Sequence, residues 1–597
     1  MDDLCHYCKK NKAMYSCMGC KIARYCSPEC QRADWKRHKE ECASLALKKD
    51  SQWRDRVALS NPHTIATHLK QHVASVTKDI ELRDISVDDR RLGRCMVAKR
   101  DFNARDCVYS EDSYAYVPIH SPKYYACMKC LQLVPIPEFI CPFCQISYCS
   151  PECMRADAGT HERFCHAFST LERMLKVVSP LIPANATKSF VSLLTDESLW
   201  RLTLRILLHP EPSQSSALGF GDVANLCFTP LTNYCKEPWI TSYLATVSEG
   251  ISHLVSGTVS ISADGVAALF SRLCHNVFSI TSSRMLTNGY GVFPVCSFIN
   301  HSCAANSIVS FVGSRIRVYA IFPIRKGWEV NISYTQFGCD CEPGGLLGFP
   351  CRCDACRDIP EIEAQLDEAV CTGEVCLSPA VPEHPYFKVR GYCCPNCLKA
   401  DKVGFLLRAP HAKGYVCLTC KHVVTPQSPC YEDYEYVKSV EDVMTRHMEA
   451  YARGEPVPSK ALLFDFTNPR MQELVPSMSH YWRDLLTVCL GTDTGNTMFA
   501  NQTLMGAIKN TVNALSVAPI YTPARLTPIM AAANKYYQIY KQNPDRVNSI
   551  LAHGLSKTLK AWNSVLVKFH FEDTCYGEAW SNLYQLVEPL LKTFNED

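Results

Sequence analysis

Eight residues able to hold a soft metal follow one another near the N-terminus: Cys5, Cys8, Cys17, Cys20, Cys26, Cys30, His38 and Cys42. The same order of ligand types returns at Cys127, Cys130, Cys141, Cys144, Cys149, Cys153, His161 and Cys165. Both copies contain Tyr-Cys-Ser-Pro-Glu-Cys, at 25–30 and 148–153, followed by x-Arg-Ala-Asp and a His-x3-Cys pair, so this is an internal repeat. Seven cysteines and one histidine supply enough ligands for two closed tetrahedral zinc sites per copy, and closed sites are structural. Cys-x2-Cys lets two sulfurs meet one ion across a tight turn, whereas Cys-x3-Cys and His-x3-Cys put both ligands on one helix face. The first copy also carries Lys9, Lys10, Lys12, Lys21, Arg24, Lys36 and Arg37, which form either a basic docking face or a solvated surface.

A second kind of chemistry is written between 290 and 356. Asn300-His301-Ser302-Cys303 is followed by two alternating runs separated by Gly313-Ser314, which predict a hairpin, then by Gly327-x-Glu329 and Tyr334. Cys351, Cys353 and Cys356 close the stretch, and Gly93-Arg94-Cys95-Met96-Val97-Ala98 predicts a strand upstream. Further on, Cys394, Cys397, Cys417 and Cys420 give Cys-x2-Cys twice with a nineteen-residue gap, a zinc-ribbon pattern.

Taken together these motifs resemble the SET and MYND domain family, whose enzymatic members transfer a methyl group from S-adenosylmethionine to protein lysines. The eight-ligand repeats look like MYND fingers, and the finger before Gly93 is an addition to the family plan. The resemblance implies interleaved pairing, with Cys5, Cys8, Cys26 and Cys30 on one ion and Cys17, Cys20, His38 and Cys42 on the other; the second finger pairs likewise. It implies donor contacts from Gly93, Arg94, Asn276, Asn300, His301 and Phe349, with Tyr334 at the methyl-transfer channel as the catalytic residue. It also implies a post-SET zinc site from Cys303, Cys351, Cys353 and Cys356, clamping Phe349 against the core. An in-line methyl displacement needs alignment, exclusion of water and a neutral amine, and no covalent nucleophile. Three positions depart from the family pattern: Cys95 replaces a glycine where backbone and donor meet, Arg94 stands where several relatives carry asparagine, and Leu347 stands where active relatives usually carry a tyrosine. These departures and the duplicated finger keep a second reading open, a zinc-dependent adaptor or co-regulator that recruits proteins without catalysis.

The elements that must position these groups give a multidomain α+β architecture, a SET-type β fold split by a finger and a helical insert. The expected order is a MYND finger at 1–43, a polar linker containing a short helix at 44–88, the N-terminal SET part at 89–126 and the second finger at 127–165. A helical insert follows at 166–275, then core SET at 276–338, a post-SET cluster at 339–360, a Cys-rich ribbon-like unit at 361–432 and a helical, tetratricopeptide-like domain at 433–597. Helical spacing supports the insert at Leu171, Met174 and Leu175 and at 199–208, and the last domain at Val437, Val440, Met444, Met448 and Tyr451 and again at Leu504, Ile508, Val512 and Leu515. Cys339, Cys341, Cys371, Cys376, Cys393 and Cys430 are unassigned. Cys489 and Cys575, in a segment poor in cysteine, read as buried apolar residues.

At 597 residues the chain exceeds one domain several times over, and 47% hydrophobic with 20% charged residues is ordinary for a globular protein. A net charge of +3 argues against nucleic acid as the main partner and leaves proteins, including proline-containing peptides at the fingers. No apolar run reaches bilayer length, and the N-terminus lacks a basic stretch followed by an apolar one. The expectation is an intracellular monomer, nuclear and cytoplasmic, whose 36 cysteines form no disulfide framework and whose clustered ligands bind about six zinc ions.

Overall fold

The computed structural model describes residues 5–17, 23–49, 53–60, 64–84, 93–119, 125–134, 137–183, 194–210, 218–228, 230–231, 237–281, 287–302, 305–334, 353, 359–377, 390–452, 468–476 and 575–593, with a few isolated positions between 533 and 560.

The N-terminal finger pairs β1 (Tyr15–Ser16) with β2 (Arg24–Tyr25) and continues into α1 (Pro28–Lys49). Its buried residues, Cys5, Cys17, Ala23, Tyr25 and Cys42, form a cluster separate from the main core. The segment expected to be a linker at 44–88 is built differently. It contains the end of α1, then α2 (Trp53–Leu59), α3 (Thr67–Val76) and β3 (Ile80–Asp84), which pairs antiparallel with β4 (Arg94–Ala98). Trp53, Ala58, Leu69, Val73 and Ile80 all enter the main core, so this stretch packs against the SET portion. Trp53 meets Phe220 edge-on with ring centroids 5.7 Å apart.

The chain continues through β5 (Cys107–Asp112) and β6 (Ala115–Pro118) into the second finger, whose short strands are β7 (Tyr125–Ala126), β8 (Leu133–Val134), β9 (Phe139–Ile140) and β10 (Ser147–Tyr148). The finger's helix, α4 (Pro151–Val178), does not stop at 165; it runs on into the insert, so the boundary expected there falls inside a helix. The insert helices among the described residues are α5 (Glu197–Leu207), α6 (Phe220–Ala224), α7 (Pro238–Val255) and α8 (Ala263–Asn276). Then come β11 (Val277–Thr281), β12 (Thr287–Val292), β13 (Asn300–His301), β14 (Ser307–Val312), β15 (Arg315–Ala320) and β16 (Glu329–Ile332). The sheets run β11-β12-β6, β14-β15-β5 and β13-β16-β4-β3. β14 and β15 form the expected hairpin: Val312 pairs with Arg315, and Gly313 takes φ +58°, the left-handed geometry a two-residue turn requires.

Beyond the SET portion, α9 (Ile359–Thr372) packs on a four-stranded sheet made of β17 (Tyr392–Cys393), β18 (Phe405–Arg408), β19 (Tyr415–Cys417) and β20 (Val423–Val424). Next is α10 (Tyr431–Ala452), where Val437 and Met444 of the expected apolar stripe are buried. Most of the expected C-terminal helical domain, including Leu504–Leu515 and Cys489, lies outside the described residues. Among the described residues no helix is long and apolar enough to cross a membrane.

Candidate functional site

Two sets of groups emerge: thiol clusters and a hydrogen-bonded network around Asn300. The clusters come first because they shape the frame. Ligand atoms of Cys5, Cys8, Cys26 and Cys30 lie within 4.8 Å of one another, as do those of Cys127, Cys130, Cys149 and Cys153, of Cys141, Cys144, His161 and Cys165, and of Cys394, Cys397, Cys417 and Cys420. Cys17, His38 and Cys42 form another such group, and Cys20 lies outside the described residues. The second finger therefore interleaves its pairs, first with third and second with fourth, and the described ligands of the first finger follow the same order.

The spacing fits a tetrahedral ion. Bonds of ~2.3 Å imply sulfur–sulfur edges of roughly 3.8 Å. The Sγ–Sγ distances are 3.7 Å for Cys8–Cys26, 3.5 Å for Cys130–Cys149, 3.6 Å for Cys141–Cys165 and 3.7 Å for Cys397–Cys417. The backbone is shaped to match. The N–H groups of Lys9, Leu131, Gln145 and Lys421 donate to the carbonyls of Cys5, Cys127, Cys141 and Cys417 at 2.9 to 3.1 Å. These four non-glycine residues all take positive φ, an uncommon conformation that lets the second cysteine of each pair turn back toward the ion. In the second finger the hydrogen bond between the Cys127 and Cys130 sulfurs pulls Cys127 down and drives Cys130 up. One sulfur is thus ready as thiolate, and a cation is what would draw the proton from its neighbour.

The structure also explains why so much of the repeated sequence recurs. The Tyr25 and Tyr148 hydroxyls donate to Asp34 and Asp157, each at 2.9 Å. The Ser27 and Ser150 hydroxyls accept the Cys30 and Cys153 N–H groups, each at 3.3 Å, capping the helices. The surroundings differ. In the first finger His6 and Arg37 flank Asp34, and with the Tyr25 hydroxyl they offset the cost of its burial and hold its carboxyl below the usual range. In the second, burial pushes Asp157 up, and Cys127, Met128, Leu131, Cys144, Ile146 and Tyr148 belong to the main core.

The network around Asn300 is built from strands distant in sequence. β13 lies parallel to β16, with Asn300 beside Asn331 and His301 beside Ile332. The Asn300 side-chain amide donates to the Glu329 carboxylate at 2.8 Å and to the Arg94 carbonyl at 3.1 Å, joining β13, β16 and β4. The Tyr334 N–H donates to His301 Nδ1 at 2.9 Å, and the ring centroids lie 5.3 Å apart. Tyr334 is 46% exposed overall, yet its hydroxyl turns inward and donates to the Ile299 carbonyl at 2.6 Å. Burial, and then the nearby Cys227 and Glu329, raise its pKa, so at neutral pH it is a neutral phenol.

The other expected site residues fall close by. Gly93 precedes β4 with φ +20°. Arg94 sends Nη1 to the Asn225 carbonyl and lies over the Phe298 ring at 5.1 Å. Asn276, at the end of α8, donates to the Cys227 and Arg272 carbonyls, each at 2.8 Å, and its own carbonyl accepts from the Ser297 hydroxyl at 3.3 Å. Cys95 does not crowd this region. Its buried thiol faces β3, with Sγ 3.7 Å from the Arg83 carbonyl. Phe349, Leu347, Cys303, Cys351, Cys356, Cys339 and Cys341 lie outside the described residues, and of the expected post-SET cluster only Cys353 is described. Sequence reasoning missed Arg272 and the segment 225–228. A charged residue within the otherwise apolar Leu269-Phe-Ser-Arg-Leu273 was the available signal.

An Asn-His strand paired parallel to a strand that is followed two residues on by Tyr334, framed by interleaved thiol clusters, is the arrangement expected of a SET-domain protein carrying MYND fingers. Comparison with known proteins agrees: residues 5–42 match the MYND finger family and residues 93–335 match the SET domain family. The chain therefore carries a MYND finger and a SET domain, and it is similar to proteins of the SET and MYND domain family. It is 25% identical over 350 residues to Histone-lysine N-methyltransferase ASHR1 of Arabidopsis thaliana, covering 55% of this chain and 62% of that protein. It is 26% identical over 288 residues to N-lysine methyltransferase SMYD2 of Homo sapiens, covering 46% of this chain and 60% of that protein. Over a shorter stretch of 101 residues it is 37% identical to Protein-lysine N-methyltransferase SMYD4 of Mus musculus, covering 15% of this chain and 13% of that protein. The chain thus spans about three-fifths of the length of the first two. A solved structure of Rubisco LSMT bound to AdoMet covers 90% of this chain and 94% of its own at 10% identity, but a TM-score of 0.24 carries no argument about this site.

Proposed function

We propose that this chain is an S-adenosylmethionine-dependent protein-lysine N-methyltransferase. The observation that carries the reading is the Tyr334 arrangement: a neutral phenol held by the Ile299 carbonyl, with its backbone locked to His301, next to an Asn300 amide whose two hydrogens are already spent. When bound, the cofactor supplies an electrophilic methyl on a sulfonium. The residues suit such a zwitterion. Asn300 keeps its amide oxygen as acceptor, Arg94 brings a guanidinium for a carboxylate, and the Tyr334 phenol keeps oxygen lone pairs near a cationic centre. Tyr334 serves to orient the amine and stabilise charge; its raised pKa removes it as a base.

Several finer statements belong to the same proposal. Cys303, Cys351, Cys353 and Cys356 hold a post-SET zinc, Cys394, Cys397, Cys417 and Cys420 hold a ribbon-type zinc, and the C-terminal region is a tetratricopeptide-like helical domain. The substrate is a histone or non-histone protein lysine, met by a nuclear and cytoplasmic monomer whose fingers recruit protein partners such as proline-containing peptides. The test is transfer of radiolabel from S-adenosylmethionine to a protein extract by purified protein. Label that is lost in Tyr334→Phe supports the reading; no label from the wild type sinks it. The adaptor reading keeps its supports in the duplicated finger and in Leu347, and gains ground if calorimetry detects peptide binding without donor binding.

A further inference from the structure

Three consecutive backbone carbonyls are each tied back by a side chain from another part of the fold. Asn225 O accepts from Arg94 Nη1, Leu226 O from Arg272 Nε at 2.7 Å, and Cys227 O from Asn276 Nδ2 at 2.8 Å. Because each peptide is planar and trans, the amides of Cys227 and Phe228 face the opposite way. The segment stands beside the proposed donor site, since Arg94 and Asn276 belong to both and Cys227 lies near enough to Tyr334 to raise its pKa.

Arg272 is the centre of this clamp. It is fully buried. Besides Leu226, its Nη1 donates to Ala58 O at 2.9 Å and its Nη2 to Ser60 O at 2.6 Å, and its guanidinium lies over Phe228 at 4.3 Å. Ala58 belongs to α2 and Ser60 follows it, in the stretch that descends from the N-terminal finger. Asp55 of α2 adds a second tie, accepting from the Ser262 N–H at 2.7 Å and hydroxyl at 2.6 Å, where Ser262 caps α8, the helix that carries Arg272. No carboxylate is among the acceptors described for Arg272. Among the described residues its acceptors are three backbone carbonyls, and a residue with five donors in a fixed fork is what joining two loops requires.

We propose that Arg272 is a positioning residue for the donor pocket: it fixes the wall formed by 225–228 and couples that wall to α2 and so to the stretch carrying the N-terminal finger. The inference rests on the methyltransferase reading and adds a residue that acts through the wall without touching the reacting atoms.

The test uses the full-length protein, with S-adenosylmethionine as the probe. In Arg272→Gln the donor KM and the calorimetric dissociation constant rise about tenfold or more, while kcat and the acceptor KM stay within about twofold, because a displaced wall weakens the donor complex without altering the channel. Arg272→Lys, which keeps a charge but loses the fork, falls between. In the donor-free protein, hydrogen exchange of the 225–228 amides accelerates in Arg272→Gln, a readout independent of turnover. Donor affinity within twofold of wild type, or a joint fall of kcat and both KM values, overturns the inference. If Arg272→Gln does not fold, Arg272→Lys and Asp55→Asn carry the test, and unchanged donor affinity in both overturns it. A wild type that binds no donor overturns the methyltransferase reading and this inference with it, whereas a wild type that binds donor and a variant that binds equally well overturns only the inference.

Discussion

The Asn300 side chain reaches the Glu329 carboxylate at 2.8 Å across 29 positions of sequence, and with its second hydrogen takes the Arg94 carbonyl at 3.1 Å. One amide therefore holds three strands in register at the site. Asn300→Ala removes both bonds and lowers stability by about 1–3 kcal/mol. Asn300→Asp is expected to be worse, because it sets a second carboxylate against Glu329. Thermal unfolding of the two variants checks the order; an Asp variant more stable than the Ala variant would contradict it.

Tyr334→Phe separates the hydroxyl from the ring. The Ile299 carbonyl loses its donor, a cost of about 1 kcal/mol, so the fold persists. Methyl transfer is expected to fall by about a hundredfold, with donor binding changed only a few-fold, since the lost interaction acts mainly in the transition state. Single-turnover transfer beside calorimetric donor binding distinguishes this from loss of fold.

Glu111 gives a pH prediction. Its Oε1 accepts from the Cys296 and Val295 N–H groups at 2.9 and 3.2 Å, while Oε2 is buried with no hydrogen-bond partner among the described residues. Burial pushes this carboxyl up to about 8. A folded-state pKa above the unfolded one means the native chain holds the proton more tightly. Stability is therefore full at low pH, declines as pH rises from the unfolded pKa near ~4.3 toward about 8, and levels off beyond, by at most a few kcal/mol. Glu111→Gln flattens that slope. Melting temperatures of both proteins at pH 6 and pH 8.5 test it, and parallel declines count against Glu111 as the source.

Gly404 reports on the ribbon-type cluster. A Cβ there would stand 2.2 Å from Cys397 Sγ and 3.3 Å from Cys417 Sγ. Gly404→Ala is expected to cost one bound zinc of the roughly six in the whole protein. Elemental analysis of wild type and variant reads this directly, and an unchanged metal content rules it out.

Legibility in the sequence followed the strength of the local constraint. Ligand spacing announced both fingers because tetrahedral coordination tolerates few arrangements, and the recurring Tyr and Asp of 25–34 and 148–157 proved to be a hydrogen-bonded pair in each copy. The Gly313-Ser314 hairpin was readable for the same reason. The stretch 44–88 was not, since α2 and α3 bury only single positions such as Trp53, Ala58, Leu69 and Val73 amid polar neighbours, and tertiary packing gives them their role. Arg272 was overlooked because an arginine is exposed by default, and a single charge in an apolar stretch does not say that the Ala58, Ser60 and Leu226 carbonyls will approach it.

The two fingers share a ligand plan but not a setting: one keeps its own small cluster, and the other is sunk into the main core. The N-terminal finger has its last ligand at Cys42, so on the ribosome it can load metal before any SET strand exists. The second finger packs against β12 through the Asn288 amide on the Leu131 carbonyl, made more than a hundred residues later, and its final form must await that synthesis. The order reverses on ageing, when the first finger can surrender its ion by local opening while the second holds on until the core itself gives way.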